Sequence, residues 1–129
     1  MTEPTSDDAR REAGMRTRRE VLGDAWVDRA VANTTPFTAA FQEFITTSAW
    51  GAVWARDGLA RRERSMLTLA LLTALGRHEE LAMHVRAARR HGLTDDEIGE
   101  VLLHTAVYAG VPAANSAFAI AQRVLDEQP

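Results

Sequence analysis

The sequence predicts an all-α protein, a single domain of about six helices spanning residues 1–129, with residues 1–6 expected to be disordered. Three observations support this class. Apolar residues recur at the helical period, helix-capping and helix-ending residues stand between these stretches, and strand-like alternation is almost absent. A chain of 129 residues, 46% hydrophobic, is long enough to bury a core.

Caps and stops define the first two predicted helices. The first starts from a cap among residues 6–8 and runs to about Leu22, where Gly23 can end it. Residues 23–35 are predicted to be irregular. The second helix has Thr35 as its cap and Pro36 as its first residue. One stripe of that helix carries Phe37, Phe41, Phe44, Ile45 and Ser48.

The third predicted helix, from about Ala60 to Gly76, is the most apolar. Its body, SMLTLALLTAL, is apolar on every side, which is typical of a helix buried all round. A domain this small has few elements with which to surround one helix. We therefore expect an oligomer whose subunits pack over this helix.

Three further helices complete the chain. The fourth runs from Arg77 or His78 to His91 and is ended by Gly92. The fifth begins with a capping box formed by Thr94 and Glu97 and extends to about residue 108. The Gly-Val-Pro sequence at 110–112 interrupts the helical pattern, and the sixth helix spans about 113–127.

The absence of cysteine and lysine excludes several chemistries. Without cysteine there is no thiolate nucleophile, redox pair, disulfide or thiolate metal site. Without lysine there is no side-chain imine, and hence no lysine-bound pyridoxal phosphate. All 15 basic side chains are arginine, which suits carboxylate binding but is also explained by genomic composition bias.

Charge and hydropathy predict a cytoplasmic protein that binds neither nucleic acid nor membrane. The net charge is −3 and the basic run at 10–19 is diluted by acids, so a solvated helix face is favoured there over a phosphate patch. The N-terminal MTEPTSDD lacks the apolar region of a secretory signal. The longest apolar stretch falls short of the ~20 residues that span a bilayer.

The fourth helix carries the candidate catalytic group. At helical spacing, Arg77, Glu80 and His84 lie along the margin of the apolar stripe formed by Leu81 and its neighbours. A partly buried imidazole beside a carboxylate can act as a general acid or base. The alternative is a solvent-edge pair of little energetic value.

The remaining histidines do not make a metal site. His78 lies about 120° around the helix from His84, so HEELAMH does not satisfy HExxH, and we expect no metal. His104 and Tyr108 share one face of the fifth helix. A core tyrosine with a histidine partner is the favoured explanation for that pair.

The start of the third helix is a candidate anion site. Arginines at the positive end of a helix dipole need an acidic neighbour or an anionic ligand. Arg61 and Arg64 are therefore candidates to bind a carboxylate, together with Arg62. Trp50 and Trp54 just upstream could form apolar walls of the site, or could equally be a core pair.

The stretch 37–122 resembles the carboxymuconolactone decarboxylase family. The likeness is carried by EELAMHVRAA at 79–88, WGAVW at 50–54 and YAGVPAAN at 108–115, and GMRTRREVLG at 14–23 extends it. In the wider alkylhydroperoxidase-like superfamily a CxxC pair precedes the shared histidine. Counted back from His84, those cysteines would fall at Arg77 and Glu80, so the resemblance is to the branch without peroxidase chemistry.

The resemblance implies an all-helical hexamer built from trimeric rings and a cofactor-free carboxy-lyase. The implied reaction converts 4-carboxymuconolactone, in protocatechuate catabolism, to 3-oxoadipate enol-lactone and CO2. We expect His84 to be the general acid, with Glu80 fixing its tautomer and raising its pKa. Arg77 is expected to be the third catalytic residue and, with Arg61 and Arg64, to bind the acetate arm of the substrate or to stabilise the oxyanion. The expected substrate-binding residues are Arg61, Arg64, Trp50, Trp54 and Tyr108.

Two other interpretations remain open. One is a catalytically silent helical oligomer that binds small acids or a partner. The other is a decarboxylase or isomerase of the same fold that acts on a related lactone.

Overall fold

The structure is a computed structural model that describes residues 6–127, and all regular secondary structure in that range is helical. This confirms the all-α class. The chain divides into two compact units, Met1–Ala60 and Arg61–Pro129. The prediction of a single domain stays a prediction. The expectation of disorder for residues 1–5 lies outside the described residues, whereas Ser6 caps the first helix.

From residue 6 onward, the N-terminal unit holds three α-helices and one π-helical segment. These are α1 (Asp7–Leu22), α2 (Asp24–Ala32), α3 (Ala39–Ile45) and the π segment (Thr46–Trp54). The predicted cap is present, because Ser6 Oγ accepts a hydrogen bond from the Ala9 N–H at 3.1 Å. In the π segment the hydrogen bonds reach one residue further than in an α-helix, as between the Ala55 N–H and the Trp50 carbonyl at 2.9 Å.

The prediction that residues 23–35 are irregular is wrong, since α2 occupies most of them. Gly23 adopts φ of 91°, which ends α1 and also lets the next helix begin at once. Arg19 ties the two helices together by donating to the carboxylates of Asp24 and Asp28, at 3.1 and 2.8 Å. Val27 is fully buried and anchors the short helix.

The second predicted helix starts later than expected. Residues 36–38 form a turn held by mutual hydrogen bonds between Thr35 and Thr38, and α3 begins at Ala39. Its aromatic stripe does not face the core of this unit. Phe37 is 95% exposed, and Phe41 and Phe44 are also exposed.

Two glycines let α1 pack against the π segment at backbone distance. A Cβ at Gly14 would lie 2.0 Å from the Thr46 carbonyl oxygen, and one at Gly51 would lie 2.0 Å from the Arg10 carbonyl oxygen. The pairs 10/51 and 14/46 show that the two elements run antiparallel. The same register brings residue 18 of α1 opposite residue 42 of α3.

The C-terminal unit is a bundle of four helices around an aliphatic core. The helices are α4 (Arg61–Leu75), α5 (His78–Arg90), α6 (Asp95–Ala109) and α7 (Val111–Leu125). The core is made of residues that are almost fully buried: Leu69, Leu81, Val85, Ala88, Leu93, Ile98, Leu102, Ala117, Ile120, Ala121 and Val124. These four helices correspond to the last four that the sequence predicts.

The predicted ends of these helices are largely confirmed. Gly92 adopts φ of 85° after α5. The capping box of α6 is complete, because Thr94 Oγ1 accepts from the Glu97 N–H and the Glu97 carboxylate accepts from the Thr94 N–H. The last helix begins at Val111, two residues earlier than expected, with Pro112 in its first turn.

The predicted third helix, α4 of the structure, is not buried all round within the single chain, and its burial by other subunits stays a prediction. In α4 the buried stripe is Ser65, Leu69 and Thr73. Leu71 is 60% exposed, and Leu67 and Leu75 share that exposed side. Three neighbouring helices cover only one side of α4.

Among the described residues, no helix is long and apolar enough to cross a membrane.

Candidate active site

Helix α5 positions the imidazole of His84 at the edge of the core. Leu81 and Val85 are fully buried, which confirms the predicted apolar stripe of this helix. His84 lies beside them and is 8% exposed. Glu80 lies one turn earlier and Arg77 precedes the first turn, and both of these side chains are exposed. The buried group of the predicted constellation is thus the imidazole, while its charged neighbours reach solvent.

Burial dominates the electrostatics of His84. Desolvation lowers the pKa of the imidazole to about 4, while the negative charge of Glu80 acts in the opposite direction. The expectation that Glu80 raises the pKa of His84 is confirmed for the contribution of Glu80, but burial outweighs it and the net shift is downward. Glu80 is exposed, so its charge is screened and does not offset the loss of hydration. The imidazole is neutral near pH 7 and offers one donor and one acceptor nitrogen.

The three arginines at the start of α4 have different surroundings. Arg62 forms a two-pronged ion pair with the carboxylate of Glu97, which lowers the pKa of Glu97 to about 2, and it also donates to the Gly92 carbonyl at 3.1 Å. Arg62 therefore fastens α4 to the cap of α6. Arg61 and Arg64 are both half-buried. The Arg64 Nε is fully buried and has no hydrogen-bond partner among residues 6–127.

Trp50 and Trp54 lie in the π segment of the N-terminal unit. Their ring centroids are 5.2 Å apart and the rings are tilted by 34°. Trp50 is buried and Trp54 is half-buried, so the pair contributes to the packing of this unit. Stretches of π-helix are frequent at functional sites, and that association supports the predicted role of the two tryptophans as apolar walls of a substrate site.

His104 and Tyr108 pair on α6 as predicted, with ring centroids 5.2 Å apart. The prediction of a core tyrosine is wrong, because Tyr108 is 81% exposed. The side of α6 on which they lie is turned away from the bundle core. His104 also lines an open, largely apolar groove of about 660 Å³ between α4 and α6.

Arg18 is a buried cation, although the composition of the basic run at 10–19 predicts a solvated helix face there. Small and apolar residues at 13, 14, 17 and 21 mark the buried face of α1, and residue 18 lies on that same face. A helical projection of α1 would have revealed it. Within residues 6–127, no three histidine or acidic side chains lie close enough together to share a metal ion.

The fold and the site together define a class of protein: all-helical, with a histidine buried at the edge of the helical bundle. The model of the carboxymuconolactone decarboxylase family matches residues 39–123, and the chain belongs to that family. It is 46% identical over 122 residues to 4-carboxymuconolactone decarboxylase of Acinetobacter baylyi, covering 95% of this chain and 91% of that protein.

Two further relatives extend the comparison. The chain is 41% identical over 129 residues to nitrosuccinic acid decarboxylase of Metarhizium robertsii, covering 98% of this chain and 90% of the relative. It is also 52% identical over 42 residues to 4-carboxymuconolactone decarboxylase of Pseudomonas putida, covering 33% of this chain and 88% of that sequence. Both names describe carboxyl-removing enzymes.

Proposed function

We propose that this protein is a carboxy-lyase that converts 4-carboxymuconolactone to 3-oxoadipate enol-lactone and CO2 without a cofactor. One observation carries the proposal: the near full-length similarity, 46% identity over 95% of the chain, to a decarboxylase of that name. The residues present suit it, since the chain has neither cysteine nor lysine and the reaction needs neither.

The substrate supplies its own electron sink. The bond between the γ-carbon and its carboxylate breaks, CO2 leaves, and the electron pair passes through the ring alkene to the lactone carbonyl oxygen. The resulting 2-oxyfuran dienolate takes one proton at its α-carbon, which gives the enol-lactone. The protein must bind two carboxylates, stabilise the oxyanion, exclude water from the departing carboxylate and deliver one proton.

We assign the proton transfer to His84. Its imidazole is neutral in the free protein because burial lowers its pKa to about 4. A bound dianion favours the imidazolium, so the proton enters together with the substrate. Glu80, one helical turn away, favours the same charged form through its negative charge. Its role in fixing the tautomer of the ring stays a prediction.

The arginines are assigned to the substrate carboxylates and the developing oxyanion. Arg64 is the strongest of them, because its buried Nε has no partner in the described part of the chain. Arg77 and Arg61 remain proposed contributors. Contacts of the substrate with Trp50, Trp54 and Tyr108 likewise stay predictions.

A second substrate is favoured by a specific observation, the 41% identity over 98% of the chain to a nitrosuccinic acid decarboxylase. Nitrosuccinate also loses CO2 from a carbon next to an electron sink, here a nitro group, and keeps its second carboxylate. The two reactions therefore need the same catalytic contributions from the protein: binding of the anion, desolvation of the departing carboxylate and delivery of one proton.

We further propose that the subunits assemble, as a homohexamer, through the exposed apolar side of the C-terminal unit. The exposed leucines of α4 and the apolar groove between α4 and α6 support such an assembly. These features lie within one unit of the chain, and the hexameric number comes from the family resemblance.

A spectroscopic assay tests the proposed activity. Adding the protein to 4-carboxymuconolactone should remove the ultraviolet absorbance of the conjugated butenolide with stoichiometric release of CO2. Turnover of nitrosuccinate alone would select the second substrate. Binding of both acids without CO2 release would instead identify a silent small-acid-binding protein.

The pH dependence of kcat/KM tests the role of His84. If one proton must be added to a group whose pKa is about 4, kcat/KM should fall about tenfold per pH unit between pH 5 and 8. His84→Gln should lower kcat by ~10²–10⁴-fold in a folded protein. A flat profile would contradict proton donation and leave His84 as a neutral hydrogen-bond donor to the oxyanion.

A further inference from the structure

Arg18 is a buried cation in the N-terminal unit that lacks a carboxylate partner. The residue is 6% exposed. Its Nη1 donates to Gln42 Oε1 at 3.1 Å, and its Nε is fully buried without any hydrogen bond to the described residues. No carboxylate of residues 6–127 forms an ion pair with it.

The neighbouring arginines of α1 show how unusual this is. Arg10, Arg11 and Arg19 are more exposed than Arg18, yet each of them pairs with an acid. A buried charge costs several kcal/mol unless an opposite charge and hydrogen bonds compensate it, so cations without an acid normally lie at the surface. Burial and the positive charge of Arg19 both lower the pKa of Arg18, so its surroundings oppose the charge that it carries.

The backbone explains why Arg18 cannot move away. Gly14 and Gly51 bring α1 and the π segment into backbone contact one turn earlier, which fixes the register of the helices. That register places Arg18 opposite Gln42. An arginine can only donate, so the Gln42 oxygen faces it and the Gln42 amide nitrogen points elsewhere as a further donor.

We propose that Arg18 and Gln42 form a carboxylate-binding site for a small organic acid, in which the guanidinium edge made by Nε and Nη2 holds the ligand. Gln42 accepts a hydrogen bond from Nη1 and does not bind the edge made by Nε and Nη2. The two parallel N–H groups of that edge match the two oxygens of one carboxylate. The choice of ligand class, a small dicarboxylic acid, rests on the proposed function. The existence of the site rests on Arg18 alone.

Binding of a non-reactive dicarboxylate tests the site without any turnover. Adipate should raise the midpoint of thermal unfolding of the wild-type protein, while the neutral adipamide at matched ionic strength should not. Arg18→Gln should weaken adipate binding, measured by calorimetry, by about 10- to 100-fold. Arg16→Gln is the matched control, because Arg16 is an exposed arginine on the same helix.

Stability separates a binding role from a structural one. Because the unliganded site holds an uncompensated charge, Arg18→Gln and Arg18→Met should unfold at the same temperature as wild type or higher. Arg18→Lys, which keeps the charge but loses the fork, should recover only part of the affinity. If both neutral variants fail to fold, Arg18 is a structural residue and the inference is overturned.

Turnover and mass distinguish the remaining outcomes. Adipate binding that is unchanged in Arg18→Gln would overturn the site while leaving the proposed function intact. If the protein turns over neither 4-carboxymuconolactone nor nitrosuccinate, adipate binding that depends on Arg18 still supports the site. If Arg18→Gln no longer assembles but binds adipate as tightly as the wild type, a second chain supplies the carboxylate that faces Arg18. That outcome would also overturn the proposed ligand site.

Discussion

At the scale of single residues, helical spacing predicts the position of the His84 imidazole but not its charge state. Helical spacing placed His84 at the margin of the stripe formed by Leu81 and Val85, and the structure agrees. The direction of its pKa shift was not predictable, because it depends on how far the tertiary packing buries the ring. The burial of Arg18 depends on the face of α1 on which it lies, and the composition of the basic run does not reveal that face.

The buried imidazole should make folding stability depend on pH. The pKa of His84 is about 4 when folded and near 6.5 when unfolded, so the unfolded chain binds the proton first as the pH falls. Stability is therefore lost as the pH drops below 6.5, by on the order of 3 kcal/mol by pH 4. Denaturant unfolding at several pH values measures how the free energy of unfolding depends on pH. This dependence should be weaker in His84→Gln than in the wild type.

His104→Gln is the control for that experiment, because it removes an exposed imidazole from the same unit. The comparison is between variants at each pH. An equal slope in wild type and His84→Gln would contradict the burial argument.

Two arginines of one helix should separate binding from stability. Arg64→Gln removes the guanidinium whose Nε lacks a partner in the described residues, and should raise KM by about tenfold or more with little effect on unfolding. Arg62→Gln breaks the ion pair with Glu97 and should lower the unfolding temperature with KM unchanged. If Arg64→Gln alters stability alone, Arg64 does not bind substrate.

At the scale of elements, local signals predicted the C-terminal helices well and the N-terminal ones poorly. The helix ends at Gly92, Thr94 and Glu97 are set by interactions within one turn of the chain. The local sequence is therefore enough to predict them. By contrast, α2 depends on Gly23 serving two helices at once, and the π segment depends on contact with α1. Long-range packing of that kind leaves little trace in a local pattern.

Two glycine substitutions should have opposite effects on stability. In α6, a Cβ at Gly99 would have no atom within 4 Å, so Gly99→Ala should stabilise the chain by about 0.5–1 kcal/mol. In α1, a Cβ at Gly14 would overlap the Thr46 carbonyl, so Gly14→Ala should cost ~1–3 kcal/mol or more. Denaturant unfolding of both variants measures the two effects.

Those two outcomes test different elements. A destabilised Gly99→Ala would show that another surface approaches that side of α6, and would contradict the open space around it. A neutral Gly14→Ala would mean that α1 can shift away from the π segment.

At the scale of the whole molecule, the apolar surface exceeds what one chain can cover. In the N-terminal unit the aromatic stripe of α3 is exposed, and in the C-terminal unit the leucines of α4 and residues Leu103 and Val107 of α6 are exposed. The sequence predicted excess apolar surface on α4, but only the structure shows which side of that helix the bundle leaves uncovered. Such patches mark contact surfaces in most soluble proteins.

A charge placed on this surface should dissociate the proposed assembly. Leu71 is 60% exposed in the single chain, so Leu71→Glu should leave the helical fold intact while opposing burial of that side against another subunit. Light scattering should give the wild type a mass near six times the 14.2 kDa of the chain, and the variant a smaller one.

Ala25→Glu adds the same charge at an exposed position of α2 and is the matched control. Because an exposed leucine contributes little to the stability of one chain, a large loss of helicity in Leu71→Glu would mean that folding and assembly are coupled. An unchanged mass in Leu71→Glu would show that the subunits associate through another surface, and the exposed aromatic residues of α3 would then be the next position to test.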